Sequence, residues 1–155
     1  MKFIAELLGH YVAIDRHLEM ERHSVAHDAS RESTIARRQK INDQAYFVLC
    51  WGQLETELDD SCRNAIRKRR DNPDWTKRRG WDLYNPEDPR LSGLSFDKRV
   101  SLVLDRLAGH GSEWSKVMHW YQLRNLIAHG GSYENRIDLN FVIADFYQIQ
   151  RKITN

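Results

Sequence analysis

The apolar residues of this chain recur every three or four positions, and this spacing predicts a protein built from α-helices alone. The clearest run comprises Phe47, Trp51, Leu54, Leu58, Cys62 and Ala65. Side chains at this spacing share one face of a helix, whereas a strand would need alternating apolar and polar residues. No stretch of the sequence alternates convincingly. We therefore expect an all-α, up-and-down bundle of about five helices.

Capping residues and glycines predict where these helices begin and end. Residues that favour helix N-caps precede four of the expected helices, namely Ser33, Ser95, Ser112 and Asp138. We expect the first helix over residues 3–26 and the second from Ser33 to about Arg70. The third helix is expected to run from Ser95 to Gly109, with Leu107 on its apolar face.

The length and composition predict a single domain with a core of its own. The chain has 155 residues, of which 41% are hydrophobic and 30% are charged, a balance typical of globular proteins. It contains no apolar run long enough to predict a membrane span, and the charged and polar residues soon after Met1 do not fit a signal peptide. We therefore expect a cytoplasmic protein. Cys50 and Cys62 would lie about 18 Å apart on one helix, too far to form a disulfide with each other.

Residues 123–130, with the sequence LRNLIAHG, combine a fixed positive charge with a group that exchanges protons. The guanidinium of Arg124 can hold a phosphate through two parallel hydrogen bonds. The imidazole of His129 can give or take a proton near neutral pH. Asn125 lies one helical turn before His129 and could orient its ring. The glycine pair after His129 is expected to end the helix, so this segment is a candidate site for cleaving a phosphodiester.

An Arg and a His separated by four residues, with Asn after the Arg, at the end of an apolar helix, resemble the motif of the HEPN superfamily. The resemblance spans residues 34–153. It implies a single HEPN-like helical domain over residues 1–155 that acts as a metal-independent endoribonuclease and needs no cofactor. The implied catalytic residues are Arg124, His129 and Asn125. The resemblance also implies a homodimer whose two Arg/His sets form a composite active site.

The same resemblance implies a reaction and a biological setting. The 2′-hydroxyl of RNA would attack the adjacent phosphate and leave a 2′,3′-cyclic phosphate and a 5′-hydroxyl. The superfamily includes toxins and antiphage defence proteins, so a role of this kind and an antitoxin partner protein are implied. One branch, paired with nucleotidyltransferase antitoxins, carries Tyr two residues after the His. Here Gly131 holds that position and Tyr133 comes later.

Two other functions remain open from the sequence. A HEPN-like domain can lack catalysis and bind RNA, a nucleotide or a protein partner. A plain helical dimerisation protein could instead hold Arg124 in a structural pair with a carboxylate, because a buried unpaired charge is very costly. Glu55 is the candidate carboxylate. It lies about 60° from the centre of the apolar stripe on the second helix, where it could meet Arg124 as a site residue.

Residues 67–81 form the most basic part of the chain, although the net charge of the whole protein is only +2. Basic side chains neutralise phosphates and indoles stack on unpaired bases, so this segment is predicted to contact RNA. The predicted RNA-binding residues are Arg69, Arg70, Lys77, Arg78, Arg79 and Trp75. A long surface insertion over residues 72–94 contains all three prolines. The alternative is ordinary solvated surface, with the tryptophans packed on the bundle.

The histidines of the first helix do not predict a metal site. His23 and His27 are four residues apart, a spacing that metal ligands can have. No third ligand follows a recognisable pattern, so we predict a solvated polar face there. The sequence also carries no P-loop, zinc-ligand set or nucleophile elbow that would favour another class of enzyme.

Overall fold

Helices make up the regular secondary structure of this protein. The structure is a computed structural model that describes residues 1–88, 91, 93–131 and 133–154. Its helices are α1 (Ile4–Ser24), α2 (Ala29–Arg70), α3 (Trp75–Arg78), α4 (Phe96–Ser101), α5 (Glu113–Ala128) and α6 (Leu139–Thr154), with a 3-10 turn at Trp81–Leu83. The described residues contain no strand, so the all-α prediction is confirmed. None of the helices in the described ranges is both long and apolar enough to cross a membrane.

The described chain divides into two compact units. The first unit contains the residues up to Leu54 and the stretch Trp120–Phe146. The second contains Glu55–His119 and the residues from Tyr147 onward. The first unit therefore holds the segment from Arg124 to His129, and the second holds the basic segment.

Two of the four predicted caps are confirmed by hydrogen bonds, and one is wrong. The Ser112 hydroxyl accepts from the Ser115 N–H at 3.3 Å, and Asp138 accepts from the Asn140 and Phe141 N–H groups. α2, however, begins at Ala29 and is capped by Asp28, whose Oδ1 accepts from the N–H groups of Ser30 and Arg31. The prediction of a cap at Ser33 fails because Asp is as good a cap as Ser and stands earlier in the chain.

The predicted third helix is much shorter in the structure. Ser95 does precede α4, but α4 ends at Ser101 and not near Gly109. Beyond it, the Asp105 carboxylate accepts the N–H of Leu107 at 2.8 Å, a local bond that replaces the helical one. Leu107 is 90% exposed, so its predicted place on an apolar helix face is wrong.

The core of the first unit is built around aromatic rings. The Phe47 ring lies 5.9 Å from Trp120 and 6.5 Å from Phe146, measured between centroids. Trp51 meets the same Phe146 ring at 6.0 Å. The indole N–H of Trp120 donates to the buried Asp145 carboxylate, so its one polar atom is paired. These contacts fix the first-unit portions of α2, α5 and α6 against one another.

A buried carboxylate, Asp43, fastens the segment that follows His129. Asp43 is fully buried on α2 and accepts hydrogen bonds from the Tyr11 hydroxyl, from the Arg136 guanidinium and from the N–H of Ile137. Burial and the Asp43 charge raise the pKa of Tyr11 to about 12, and the hydrogen bond with Asp43 raises the pKa of Arg136. Neither the Asp43 clamp nor its partners were predicted from the sequence.

The insertion over residues 72–94 does not lie wholly on the surface. Leu91 is only 2% exposed and packs in a core cluster with Cys62 and Ile66. Trp81 and Tyr84 pack against this cluster. The Arg63 guanidinium donates to the carbonyl oxygens of Pro86 and Asp88, which ties the returning chain to α2. Of the predicted insertion, Pro89, Arg90 and Ser92 lie outside the described residues.

Both cysteines are free thiols in buried positions. Burial raises the pKa of Cys50 and of Cys62 to about 11 in each case. Because the thiolate is the reactive form, both side chains act as apolar packing groups at neutral pH.

Replacing Asp43 with Asn should destabilise the protein. The NH2 group of the new amide would face groups that now donate hydrogen bonds to the Asp43 carboxylate. We expect the free energy of unfolding to fall by about 3 kcal/mol, measured by urea denaturation with circular dichroism. Asp60→Asn, at an exposed position of the same helix, is the matched control and should change it by less than about 0.5 kcal/mol. Equal effects of the two variants would contradict the clamp.

Candidate functional site

The helix α5 carries the Arg–His segment and is anchored by its buried side. Trp120 and Leu123 are buried, and Tyr121 stacks at 6.1 Å from Trp51. Toward the end of the helix the burial decreases, because Arg124 and Asn125 are half-buried and His129 is exposed. The structure thus presents His129 to solvent from a helix whose other side is fixed in the core.

The end of α5 has the hydrogen-bond pattern of a Schellman cap. The N–H of Gly131 donates to the Leu126 carbonyl at 2.8 Å, and the N–H of Gly130 donates to the Ile127 carbonyl at 3.1 Å. Gly130 has a φ of +74°, a left-handed conformation that glycine adopts without strain. His129 is therefore the C-cap residue, and the predicted helix stop at the glycine pair is confirmed.

Arg124 and His129 are related through Asn125. The backbone N–H of His129 donates to the Asn125 carbonyl at 3.0 Å, so His129 keeps its helical position, about 40° around the axis from Asn125. The guanidinium Nη1 of Arg124 donates to the Asn125 side-chain oxygen, also at 3.0 Å. The guanidinium therefore contacts a residue on the side of the helix where His129 stands. The structure therefore gives Asn125 a contact with Arg124, whereas the sequence predicted one with His129.

Glu55, the predicted partner of Arg124, lies on α2. It is half-buried and belongs to the second unit, whereas Arg124 belongs to the first. Its pairing with Arg124 stays a prediction.

A groove of mixed charge opens beside the end of α2 and has a volume of about 580 Å³. Its lining consists of Arg67, Arg70, Asp71, Arg78, Asp82, Pro86 and Glu87. Three arginines therefore face three carboxylates. One of these pairs is direct, because the Arg67 guanidinium lies 2.7 Å from Glu87. We call this surface the mixed groove.

A second groove, of about 550 Å³, is lined by Lys68, Arg69, Asn72, Thr76, Lys77, Arg79 and Trp81. Four of these residues are cationic, and none of the described residues in the lining is acidic. We call this surface the basic groove. The carboxylate of Asp74 lies just outside the lining, 3.7 Å from the Lys77 amine.

The walls of the basic groove are held by capping bonds and by arginine–tryptophan contacts. Asp74 caps α3 by accepting from the N–H and hydroxyl of Thr76, and these bonds hold the pKa of Asp74 below its ordinary value. The Arg69 guanidinium carbon lies 5.4 Å from the Trp81 ring centroid. The corresponding distance from Arg79 to Trp75 is 5.9 Å.

The structure separates the predicted RNA-binding residues into two groups. Arg69, Lys77 and Arg79 line the basic groove, whereas Arg70 and Arg78 line the mixed groove. Trp75, on α3, is 60% exposed. The lining of the basic groove also contains residues of the predicted segment that were not named as RNA-binding, namely Lys68, Asn72, Thr76 and Trp81. Helical spacing could not group these residues, because α2 ends at Arg70 and α3 begins only at Trp75.

The described residues contain no cluster of three or more His, Cys, Asp or Glu side chains that could hold a metal ion. The imidazole of His23 lies 3.3 Å from the Glu19 carboxylate, one helical turn away. This pair is an ordinary exposed contact on α1.

Fold and site together define an all-α protein that carries an Arg–Asn segment and an exposed His at the end of a core helix. No family model matches this chain, and comparisons with curated proteins and with solved structures find no significant match.

The cap after His129 should be intolerant of a side chain at Gly131. An added Cβ would lie 2.3 Å from Leu126 Cδ1 and 2.8 Å from the Leu126 carbonyl oxygen, so Gly131→Ala should cost roughly 1–3 kcal/mol. Gly9→Ala is the control, because Gly9 is helical with open space around it and the substitution should stabilise by about 0.5–1 kcal/mol. Thermal unfolding measures both. A neutral Gly131→Ala would mean that the cap is not formed as described.

Proposed function

We propose that this protein is an endoribonuclease that cleaves RNA without a metal ion, using Arg124 and His129. The observation that carries the proposal is the bond from Arg124 to Asn125, a residue on the side of α5 where the exposed His129 stands. A phosphate-binding cation and a proton-exchanging group at one helix end suit phosphodiester cleavage. The resemblance to the HEPN motif supports the same function.

The proposed reaction is an internal transesterification. The 2′-hydroxyl oxygen forms a bond to the adjacent phosphorus as the bond from phosphorus to the 5′-oxygen breaks. One proton leaves the 2′-hydroxyl and one is gained by the departing 5′-oxygen. His129 acts as the general base or the general acid, and Arg124 stabilises the negative charge that develops on the phosphoryl oxygens. Asn125 positions Arg124 through its side-chain oxygen.

The second proton-transfer group comes, in this proposal, from a second copy of the chain. An exposed apolar stripe on α2 supports pairing of two chains. It comprises Ile41, Ala45, Leu49 and Gly52, which follow one another by three or four residues. Ile41 and Leu49 are each more than half exposed, and a contiguous exposed apolar patch is typical of an interface. A homodimer would bring two Arg/His sets into one composite site.

The biological role proposed with this activity is that of a toxin or antiphage defence effector held in check by a partner protein. It rests on the resemblance alone. A non-catalytic domain that binds RNA, a nucleotide or a protein, and a helical dimerisation protein with a structural Arg124, are the competing functions.

The cleavage experiment uses a single-stranded RNA oligonucleotide in the presence of EDTA. Cleavage should persist and leave a 2′,3′-cyclic phosphate, detected by mass spectrometry, and an oligonucleotide with 2′-O-methyl groups should resist it. His129→Ala should lower the rate by about 10²–10⁴-fold, and Arg124→Ala by about 10²–10³-fold.

His119→Ala, an exposed histidine on the same helix, is the matched control and should retain full activity. Unchanged rates in both site variants would rule out the proposed reaction. If Arg124→Ala unfolds, with a loss of roughly 3–5 kcal/mol, the arginine has the structural role instead. Arg124→Lys keeps the charge, so its rate of RNA cleavage then separates the catalytic role from the structural one.

The assembly is tested by sedimentation equilibrium at micromolar concentration. The parent protein should be a dimer, and Leu49→Glu should shift it to a monomer because a charge would be buried in the pair. Leu107→Glu adds the same charge at another exposed leucine and should leave the dimer intact. A monomeric parent would remove the composite site from the proposal.

A further inference from the structure

The basic groove differs from the mixed groove next to it in the balance of charge in its lining. The mixed groove offers three arginines to three carboxylates, whereas the basic groove offers four cations and, among its described lining residues, no carboxylate. The two grooves share the end of α2, where four consecutive residues are divided between them. Arg67 and Arg70 line the mixed groove, and Lys68 and Arg69 line the basic one.

A run of cations without carboxylates fits a ligand with several negative charges. Like charges gathered in one groove repel each other, and a polyanion relieves that repulsion while releasing its own counterions. The side-chain amide of Asn72, also in the lining, can donate to phosphate oxygens. In the mixed groove the carboxylates would repel the same ligand.

The two tryptophans indicate which polyanion fits best. The indole of Trp75 is 60% exposed, and that of Trp81 lines the groove itself. Each has an arginine guanidinium near its ring, so cation and aromatic surface lie side by side. This combination suits a single-stranded nucleic acid, whose phosphates meet the cations while its unpaired bases stack on indoles. A duplex keeps its bases stacked on one another.

We propose that the basic groove binds single-stranded RNA, through phosphate contacts from Lys68, Arg69, Lys77 and Arg79 and base stacking on Trp75, and that the mixed groove does not. The choice of RNA over DNA rests on the proposed function. The binding itself does not depend on cleavage.

The test measures fluorescence anisotropy of a labelled oligouridylate with 2′-O-methyl groups. The proposed reaction cannot cleave this RNA, so binding is measured independently of cleavage. Arg69→Gln/Arg79→Gln removes two charges from the basic groove, and Arg70→Gln/Arg78→Gln removes two from the mixed groove. The second pair matches the first in residue type and charge. Titrations over a series of salt concentrations give both the affinity and its salt dependence.

The basic-groove pair should bind roughly tenfold more weakly near 0.1 M salt, with a log–log salt slope smaller by about 1.4, since each lost contact with a single strand removes about 0.7. The mixed-groove pair should bind as the parent does. Trp75→Ala should weaken binding at least fivefold, and it should not affect binding to a duplex of the same sequence. Lys68→Gln/Lys77→Gln leaves both arginine–tryptophan contacts in place. This lysine pair should show the same loss of affinity, and it provides the test if the first pair fails to fold.

Equal losses in the two arginine pairs would overturn the assignment to one groove. Polyglutamate that competes as well as RNA, together with no effect of Trp75→Ala, would make the groove a general polyanion or acidic-protein site and overturn single-strand recognition. A 2′-O-methyl RNA that binds no better than the DNA of the same sequence would keep the groove but remove the RNA preference. Loss of cleavage with intact binding would count against the proposed reaction alone.

Discussion

The fully buried carboxylate of Asp43 is the interaction on which the first unit depends most. It joins α1 through Tyr11, α2 through its own position, and the segment before α6 through Arg136 and Ile137. A buried charge is tolerated only when it is paired and hydrogen-bonded, and Asp43 accepts from a hydroxyl, a guanidinium and a backbone N–H. The Gln44 side chain adds a bond to the Tyr133 carbonyl. The chain that leaves His129 is thus fastened to α2 within a few residues.

The Asp43 clamp also affects the end of α5, where His129 stands. The Schellman cap sets the backbone of His129 from one side, and the Asp43 clamp holds the chain that follows from the other. Between them the imidazole is exposed on a backbone that is fixed at both ends. A proton-transfer group needs this combination, because it must reach a substrate and still keep its direction. Asn125 contacts Arg124 through its side-chain oxygen, which helps to position the guanidinium.

The second unit holds many cationic side chains close together. Its insertion is anchored by apolar contacts of Trp81 and Tyr84 and by the bonds of Arg63 to two carbonyl groups. This anchoring fixes the α3 turn against the end of α2 and divides the basic side chains between two grooves. Asp82 and Glu87 of the insertion line the mixed groove, so the neighbouring surfaces have different electrostatic character although they are built from the same stretch of sequence.

The sequence alone determined the helical class, the stop of α5 at Gly130 and the candidate pair Arg124 and His129, because these depend on periodicity and on the chemistry of single residues. It misplaced the start of α2, since Asp28 and Ser33 are equivalent caps, and the end of α4, where Asp105 forms a local turn. Only the tertiary structure decided that Asp43 pairs with Arg136, which lies far along the chain, and that Arg69 and Arg70 line different grooves. Periodicity specifies which face of a helix is buried, but the partner of a buried charge and the acids beside a basic side chain come from residues distant in sequence.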